Sequence, residues 1–178
     1  MKNHVTDKDE EDRRLKALAE YRILGTEPES CYDDITQIAA RTCHVPISLM
    51  TLVDKDRQWF KSKVGFQTSE TRRDWSFCTH AIKENYPLIV NDAYQDKRFI
   101  NNPLVTGDPK IRFYAGFPLK NNDGNKLGTL CVIDRKPGSL DEEQCSIMEL
   151  LAKQIVSFLE LRKRSLNLLD ALSHLHNQ

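Results

Sequence analysis

Arginine, cysteine, histidine and aromatic residues are concentrated in the middle of this 178-residue chain. An arginine holds an anionic group through paired charge-assisted hydrogen bonds, and an aromatic ring stacks on a planar ligand. The candidate ligand-binding residues of this kind are Phe77, Cys78, His80, Arg98, Phe99, Arg112 and Tyr114. No Ser/His/Asp set, carboxylate pair or phosphate-cradling glycine loop can be assembled, so the sequence predicts no catalytic residues and no enzymatic activity.

Each of these residues also has a purely structural interpretation. The two arginines could form ion pairs that hold their own loop, with Asp92 or Asp96 as the partner of Arg98 and Asp108 as the partner of Arg112. The aromatic residues of the set could be core residues beneath a lid. A bound small molecule and a filled pocket therefore both remain open.

The cysteines form neither a disulfide framework nor a zinc site. They are an odd number at irregular spacing without CxxC, namely Cys31, Cys43, Cys78, Cys131 and Cys145. Together with a charged N-terminus that is not a signal peptide, this predicts a reducing cytoplasm. Cys78 and His80 alone lack the spacing of zinc ligands, so no metal is predicted. A redox role would need an exposed, low-pKa thiolate, whereas Cys131 lies in an apolar strand where a buried thiol is expected.

Composition limits the partners. The chain has 26 basic and 26 acidic residues and therefore no net charge. A dedicated nucleic-acid binder carries a basic face, so nucleic acid is not a predicted partner. No apolar run approaches the roughly 18 residues that a membrane span needs. We expect a cytoplasmic protein with one domain and flanking helices.

Hydrophobic periodicity predicts an α/β domain with a mainly antiparallel sheet, covered by helices on one face and by irregular loops on the other. The predicted order is helix 10–24, helix 31–43, a hairpin of strands 47–53 and 58–65, helix 75–82, strand 87–90, a hairpin of strands 111–119 and 126–134, and a helix from about residue 139. Residues 67–74 are predicted to be a polar connection. Gly25 is predicted to end the first helix, and Gly128 to mark a bulge or a close backbone approach.

The segment 91–119 is predicted to carry binding. It is rich in charged and aromatic residues, and Pro103, Gly107 and Pro109 prevent it from forming one helix. Such a segment is expected to be a structured loop packed over the sheet. Loops held by a rigid scaffold are where ligands usually bind.

The last helix carries leucines beyond the predicted domain edge. Leu161, Leu168, Leu172 and Leu175 lie 7, 4 and 3 residues apart, which is the a/d spacing of a coiled-coil seam. An apolar face of this kind needs a second surface, either another copy of the chain or the N-terminal helix. We expect a homodimer whose interface contains these four leucines.

Several short motifs occur in a fixed order along the chain. They are YRIL at 21–24, VDKDR at 53–57, WFKS at 59–62, SFC at 76–78, NNPLV at 101–105, RFYAG at 112–116 and GTLCVID at 128–134. Together they resemble GAF domains, in particular the bacterial kind found at the N-terminus of sensor histidine kinases and diguanylate cyclases. The resemblance covers about residues 17–161. It implies a six-stranded antiparallel sheet, with the N- and C-terminal helices on one face and loops and short helices enclosing a pocket on the other.

The resemblance also implies a sensory function. It divides the chain into a flexible N-terminus (1–9), a GAF domain (10–161) and a dimerisation or signalling helix (162–178). The expected function is to bind an unidentified small molecule, with no known cofactor, and to signal through the paired helix to a kinase or cyclase domain. That domain would lie in the same protein if this chain is an N-terminal portion, or in another protein if it stands alone.

Other functions of the family remain as alternatives. The domain could be a ligand-free dimerisation module, or a thiol-based redox enzyme such as a free methionine sulfoxide reductase, although the Gly-Val-Cys-Gly signature of that enzyme is missing. Bilin attachment uses a cysteine that is commonly followed by histidine. Cys43-His44 has this dipeptide but lies at the end of the second predicted helix, and Cys78 lacks it. The cyclic-nucleotide signature NKFDE has no counterpart.

Overall fold

The computed structural model describes residues 6–176. Its helices are α1 (Asp7–Glu20), α2 (Ser30–Thr42), α3 (Phe77–Ala81), α4 (Pro103–Thr106) and α5 (Glu142–His176), with a 3₁₀ turn at Arg73–Trp75. Its strands are β1 (Ile47–Val53), β2 (Arg57–Val64), β3 (Glu70–Arg72), β4 (Leu88–Val90), β5 (Phe113–Lys120) and β6 (Lys126–Asp134). No helix in this range is long and apolar enough to cross a membrane.

The six strands form one antiparallel sheet in the order β3-β2-β1-β6-β5-β4, which confirms the expected α+β fold. The edge strand β3 was predicted to be part of a polar connection. Its three residues show no apolar alternation, and they become a strand only because Arg72 and Glu70 lie opposite Arg57 and Trp59 of β2. Pairing with a neighbour, rather than the pattern of its own side chains, defines this strand.

The sheet has an apolar core on each face because successive side chains of a strand point to opposite sides. On one face Met50 and Leu52 pack in the core that α1, α2 and α5 complete. On the other face Leu49 and Val53 pack with residues from α3 and from the segment 91–119. Every residue of β1 is buried, which explains its nearly continuous apolar sequence.

The first helix begins and ends earlier than predicted. Thr6 and Asp9 form a capping box, with the Thr6 amide 3.0 Å from an Asp9 carboxylate oxygen, so α1 begins at Asp7 rather than at residue 10. It ends at Glu20, since Arg22 takes a left-handed conformation with φ of 44°. Gly25 is therefore not the residue that terminates α1, although its φ is also positive.

The close approach predicted at Gly128 lies between β6 and β1. Gly128 is opposite Leu52, and a Cβ atom on it would lie 1.9 Å from the Thr51 carbonyl oxygen. Only glycine permits this separation of the two central strands. The register of the sheet that carries the candidate site thus depends on this residue.

Residues 91–112 of the segment 91–119 form the predicted structured loop over the sheet, and the remaining residues of the segment belong to β5. The Asn102 side chain accepts a hydrogen bond from the Leu104 amide (2.9 Å) and caps the short helix α4. Phe99, Val105 and Ile111 are buried against the second core. The loop therefore closes the sheet face opposite to the long helices.

Candidate functional site

Four aromatic rings meet beneath α3. The Ser76 hydroxyl accepts a hydrogen bond from the Thr79 amide (3.1 Å) and starts α3, which directs Phe77 into the core. The Phe77 ring stacks on Phe99 with centroids 3.9 Å apart and lies 5.0 Å from the ring of Tyr114. His80 contacts the Phe99 ring edge-on at 4.9 Å. These contacts fill most of the space in which the resemblance places a ligand.

Cys78 is the centre of a buried hydrogen-bond cluster. Its sulfur accepts hydrogen bonds from the hydroxyls of Thr129 (3.1 Å) and Tyr114 (3.3 Å), and the Thr129 hydroxyl lies 3.1 Å from that of Thr51. Burial raises the pKa of Cys78, but these hydroxyls and the neighbouring Cys131 thiol lower that pKa further than burial raises it. Burial raises the pKa of Cys131 well above its ordinary value. Of the two thiols, Cys78 is therefore the more acidic and Cys131 the less acidic.

An inner cavity of about 20 Å³ remains beside this cluster. It is lined by Leu49, Gln58, Phe60, Phe66, Thr71, Phe77, Cys78, Leu104, Ile111, Tyr114, Cys131 and Ile133. A volume of this size holds about one water molecule. Of the predicted site residues, Phe77, Cys78 and Tyr114 line the inner cavity, while Phe99 lies behind Phe77.

The two predicted arginines lie outside the inner cavity. Arg98 pairs with Asp96 at 2.7 Å, and this hydrogen-bonded guanidinium lowers the pKa of the Asp96 carboxyl. Arg112 donates to the carbonyl oxygens of Val105 (3.0 Å) and Ile111 (2.9 Å) rather than pairing with an aspartate. Both arginines thus stabilise the 91–119 loop in this conformation.

A larger outer groove of about 720 Å³ opens at the β2–β3 edge of the sheet. Its lining includes Arg57, Arg72 and the half-buried Trp75, and it shares Phe66, Thr71 and Leu104 with the inner cavity. These three residues therefore line both spaces. The sequence analysis missed this groove because β3 was not recognised. The available sequence signal for a binding surface was Trp75, an aromatic residue directly after the charged run Arg72–Asp74.

A polar cluster joins β2 to α5 through the α1–α2 loop. The buried ammonium of Lys61 lies 2.7 Å from a carboxylate oxygen of Glu29, and the Arg162 guanidinium lies 3.3 Å from the same oxygen. Arg162 also donates to the carbonyl oxygens of Tyr21 and Arg22, each at 2.9 Å. Lys61 on the sheet and Arg162 on the last helix therefore contact the same carboxylate, that of Glu29.

The leucines of the predicted seam are exposed on α5. The exposed fractions are 61% for Leu161, 62% for Leu168, 52% for Leu172 and 70% for Leu175. The buried residues of α5 end earlier, at Leu159. These four residues will be called the leucine seam.

Neither a metal site nor a bilin site is apparent within residues 6–176. This range contains no group of three or more His, Cys, Asp or Glu side chains arranged to hold a metal ion. Cys43, which is followed by a histidine, is buried on the helix-covered face of the sheet. The inner cavity lies on the other face.

Comparison with known proteins identifies the family. The profile of the GAF domain matches residues 27–158. A cyclic di-GMP phosphodiesterase of Pseudomonas aeruginosa is 36% identical over 171 residues, which cover 96% of this chain and 29% of that protein. The chain thus spans less than a third of the length of this relative.

Two solved structures show the same fold at low sequence identity. The GAF domain of an Acinetobacter phosphoenolpyruvate-protein phosphotransferase superposes with a TM-score of 0.61 at 15% identity, covering 89% of this chain and 97% of that one. A free methionine-R-sulfoxide reductase of Neisseria meningitidis, in complex with its substrate, gives 0.62 at 15% identity, with coverage of 91% and 97%.

These comparisons overturn the prediction of no enzymatic activity. The Pseudomonas relative is named as an enzyme, and so is the Neisseria protein with this fold. The prediction rested on catalytic sets within this segment alone, whereas the segment is only a GAF domain and matches 29% of the relative. The chain belongs to the GAF domain family.

Proposed function

We propose that this chain is a sensory GAF domain that pairs with a second copy through α5 and regulates a domain acting on cyclic di-GMP. The observation that carries the proposal is the exposed leucine seam. Three of its leucines fall at d positions and Leu172 falls at an a position of one heptad register. Leucine at d is typical of two-stranded coiled coils, and burying each side chain would stabilise the pair by about 1.5–3 kcal/mol.

The direction of the seam supports pairing between copies. Asp170 contacts Arg22 of the same chain at 2.6 Å. Since each residue advances an α-helix by about 100°, Leu168 lies on the side of α5 opposite to Asp170. The leucines thus point away from the α1–α2 loop, toward a side of α5 that no residue between 6 and 176 covers.

The polar cluster supports a path from the sheet to the paired helices. Arg57 of β2 lines the outer groove, and Lys61, four residues along the same strand, contacts Glu29. A ligand that prefers one position of β2 would also favour one position of the Glu29–Arg162 contact on α5. The signal in this proposal is a shift between two arrangements of the helix pair.

The ligand of the proposed sensor is a small molecule in the outer groove. The groove has the volume of an ordinary ligand site, and the inner cavity does not. Part of the ligand would reach the inner cavity by displacing Phe66 or Leu104 from the shared wall. The resemblance to a cyclic di-GMP phosphodiesterase supports an output of that chemistry, in the same protein or in a partner.

Sedimentation of the purified chain tests the pairing. We expect a dimer for the natural sequence and a monomer for the double variant Leu168→Glu/Leu172→Glu, which places two charges in the seam. Asn167→Glu adds a charge outside the a and d positions, so this matched control should remain a dimer. A natural chain that stays monomeric at about 100 μM would refute a stable pair.

Native mass spectrometry of protein purified from a metabolite-rich lysate tests the ligand. A dimer with additional retained mass would support sensing and would provide the ligand for identification. A dimer without additional mass would favour the second candidate function, a ligand-free dimerisation module. The specific observation in favour of that candidate is the small volume left among Phe77, Cys78 and Tyr114.

A further inference from the structure

A second groove, of about 710 Å³, lies between α1, the end of α3 and the β5–β6 hairpin. It is lined by Asp7, Glu10, Glu11, Arg13, Arg14, Arg73, Ile82, Lys83, Asn85, Lys120, Gly124, Asn125 and Lys126. We will call it the basic groove, because six of these side chains are basic and three are acidic. Neither the leucine seam nor the outer groove shares any of these residues.

Two lysines face each other across the hairpin. Lys120 of β5 and Lys126 of β6 are direct partners in the antiparallel register. Like charges placed opposite each other on a sheet destabilise it. Burial, and after it the Lys120 charge, lowers the pKa of Lys126. An anion between these two ammonium groups would remove the repulsion.

Three of the charged side chains in the groove compensate one another. Glu11 accepts hydrogen bonds from Arg14 (2.8 Å) and Arg73 (2.6 Å), so these three residues neutralise one another in part. Lys126 donates to the Glu84 carbonyl oxygen and to Asn85, and an ammonium group has three donors. One donor of Lys126 therefore remains for a ligand.

The other free charges also favour an anion. Arg13 and Lys83 are exposed cations on the wall of the groove, and they come from elements other than the hairpin. The acidic side chains of Asp7 and Glu10 lie at the first turn of α1. Apart from Glu11, Arg14 and Arg73, the lining of the groove has four cations and two carboxylates. The net charge of these six side chains is positive.

Asn125 adds a polar side chain to the wall of the basic groove. Its residue is 7% exposed, and it lines the basic groove. Its backbone amide is held by the Asn121 side chain (2.8 Å), whereas its own side chain makes no hydrogen bond within residues 6–176. An anion bound in the groove would accept a hydrogen bond from this side-chain amide.

We propose that the basic groove binds a phosphate-bearing small molecule, with Lys120 and Lys126 on the phosphate oxygens and the Asn125 amide donating to the same group. Charge-assisted hydrogen bonds of this type are the strong ones in proteins. The concave shape, with cations on three separate elements, fits a small molecule of nucleotide size rather than an extended acidic peptide. This site is independent of the proposed pairing through α5.

Calorimetric titration with pyrophosphate and with GMP at fixed ionic strength tests this site. We expect saturable binding of both probes, weakened about tenfold by Lys120→Gln and by Lys126→Gln. The matched control Lys136→Gln removes an exposed lysine outside the groove and should change affinity by less than about twofold. Lys120 is exposed, so its variant carries the test if the Lys126 variant does not fold.

Three outcomes would overturn the proposal. They are the absence of saturable binding, an equal loss of affinity in the Lys136→Gln control, and equally tight binding of a short poly-glutamate peptide. The last result would assign the groove to an acidic protein partner. Asn125→Asp gives a second readout, because the added carboxylate should weaken pyrophosphate binding by more than about tenfold.

Discussion

The ammonium of Lys61 lies 2.7 Å from the carboxylate of Glu29, although the Lys61 side chain is completely buried. It also donates to the Thr26 hydroxyl (2.8 Å) and to the Glu27 carbonyl oxygen (2.6 Å). A buried cation is tolerated only when its charge and its donors are all compensated. The α1–α2 loop provides that compensation, and so the conformation of this loop is coupled to β2.

Glu29→Gln should destabilise the domain by about 1–2 kcal/mol, because it leaves the Lys61 charge with neutral partners only. The control Asp96→Asn breaks an exposed pair with Arg98 and should cost less than about 1 kcal/mol. Urea unfolding of both variants gives the comparison. Equal losses would mean that the buried charge is compensated without Glu29.

Gly128→Ala should cost at least about 3 kcal/mol, because its Cβ would lie 1.9 Å from the Thr51 carbonyl oxygen. Gly25→Ala is the matched control. Gly25 has a positive φ, but an added Cβ meets nothing within 4 Å, so the cost should be about 1–2 kcal/mol. Thermal unfolding measures both changes. A smaller loss at Gly128 than at Gly25 would contradict the close approach of β1 and β6.

Glu11 should make stability depend on pH below neutrality. Its hydrogen bond with Arg14, opposed by burial and helped by Arg73, lowers the pKa of the Glu11 carboxyl from 4.5 to about 2. The folded pKa is the lower one, so this stabilisation is complete above about pH 4.5 and is lost as the pH falls toward 2. Glu11→Gln should therefore cost about 1 kcal/mol at pH 7, after allowance for solvent screening, and almost nothing at pH 2.

Urea unfolding at several pH values measures this effect. The matched control Glu149→Gln removes an exposed carboxylate of α5 and should leave the pH dependence of the natural chain unchanged. A loss for Glu11→Gln that is the same at pH 7 and at pH 3 would show that Glu11 contributes through packing and not through its charge.

The cysteines should differ in their reaction with Ellman's reagent. Cys31 and Cys145 are half-buried, whereas Cys43, Cys78 and Cys131 are buried. We expect two thiols to react in the folded chain at about pH 8.5 and five after denaturation. Burial raises the pKa of Cys31 and Cys145, so their reaction should be slow. The variant Cys31→Ser/Cys145→Ser is the control, since any fast reaction in it would show that one of the three buried cysteines becomes accessible.

The strands were predictable wherever their own residues specify them. β1 is apolar because both of its faces are covered. The turn residues Asn121–Asn125 predict the β5–β6 hairpin. β3 is specified by its partner and not by its three polar residues, so no local pattern reveals it. The early end of α1 at Glu20 was not predictable for a related reason, since the left-handed Arg22 that follows has no sequence signal comparable to glycine.

The candidate site was only partly predictable because its geometry depends on distant contacts. Phe77 and Phe99 stack although 22 positions separate them, and this stacking turns two candidate ligand contacts into core residues. Arg112 would suit an anion by residue type, but its Nη1 group donates to the carbonyl oxygens of Val105 and Ile111, which holds the guanidinium on its own loop. Residue type indicates what a side chain is able to bind, and tertiary packing determines whether that side chain is free to do so.

The length of α5 has a mechanical consequence. The helix has 35 residues, and its last core residue is Leu159, so about 25 Å of it extends beyond the core. The contacts beyond that residue are polar and lie near the surface, and contacts of that kind yield easily. A tilt of about 5° at Leu159 would move the far end by about 2 Å, roughly one third of a helical turn. The projecting half of α5 is thus a lever, in which a small rotation at the core becomes a displacement of about 2 Å at the far end.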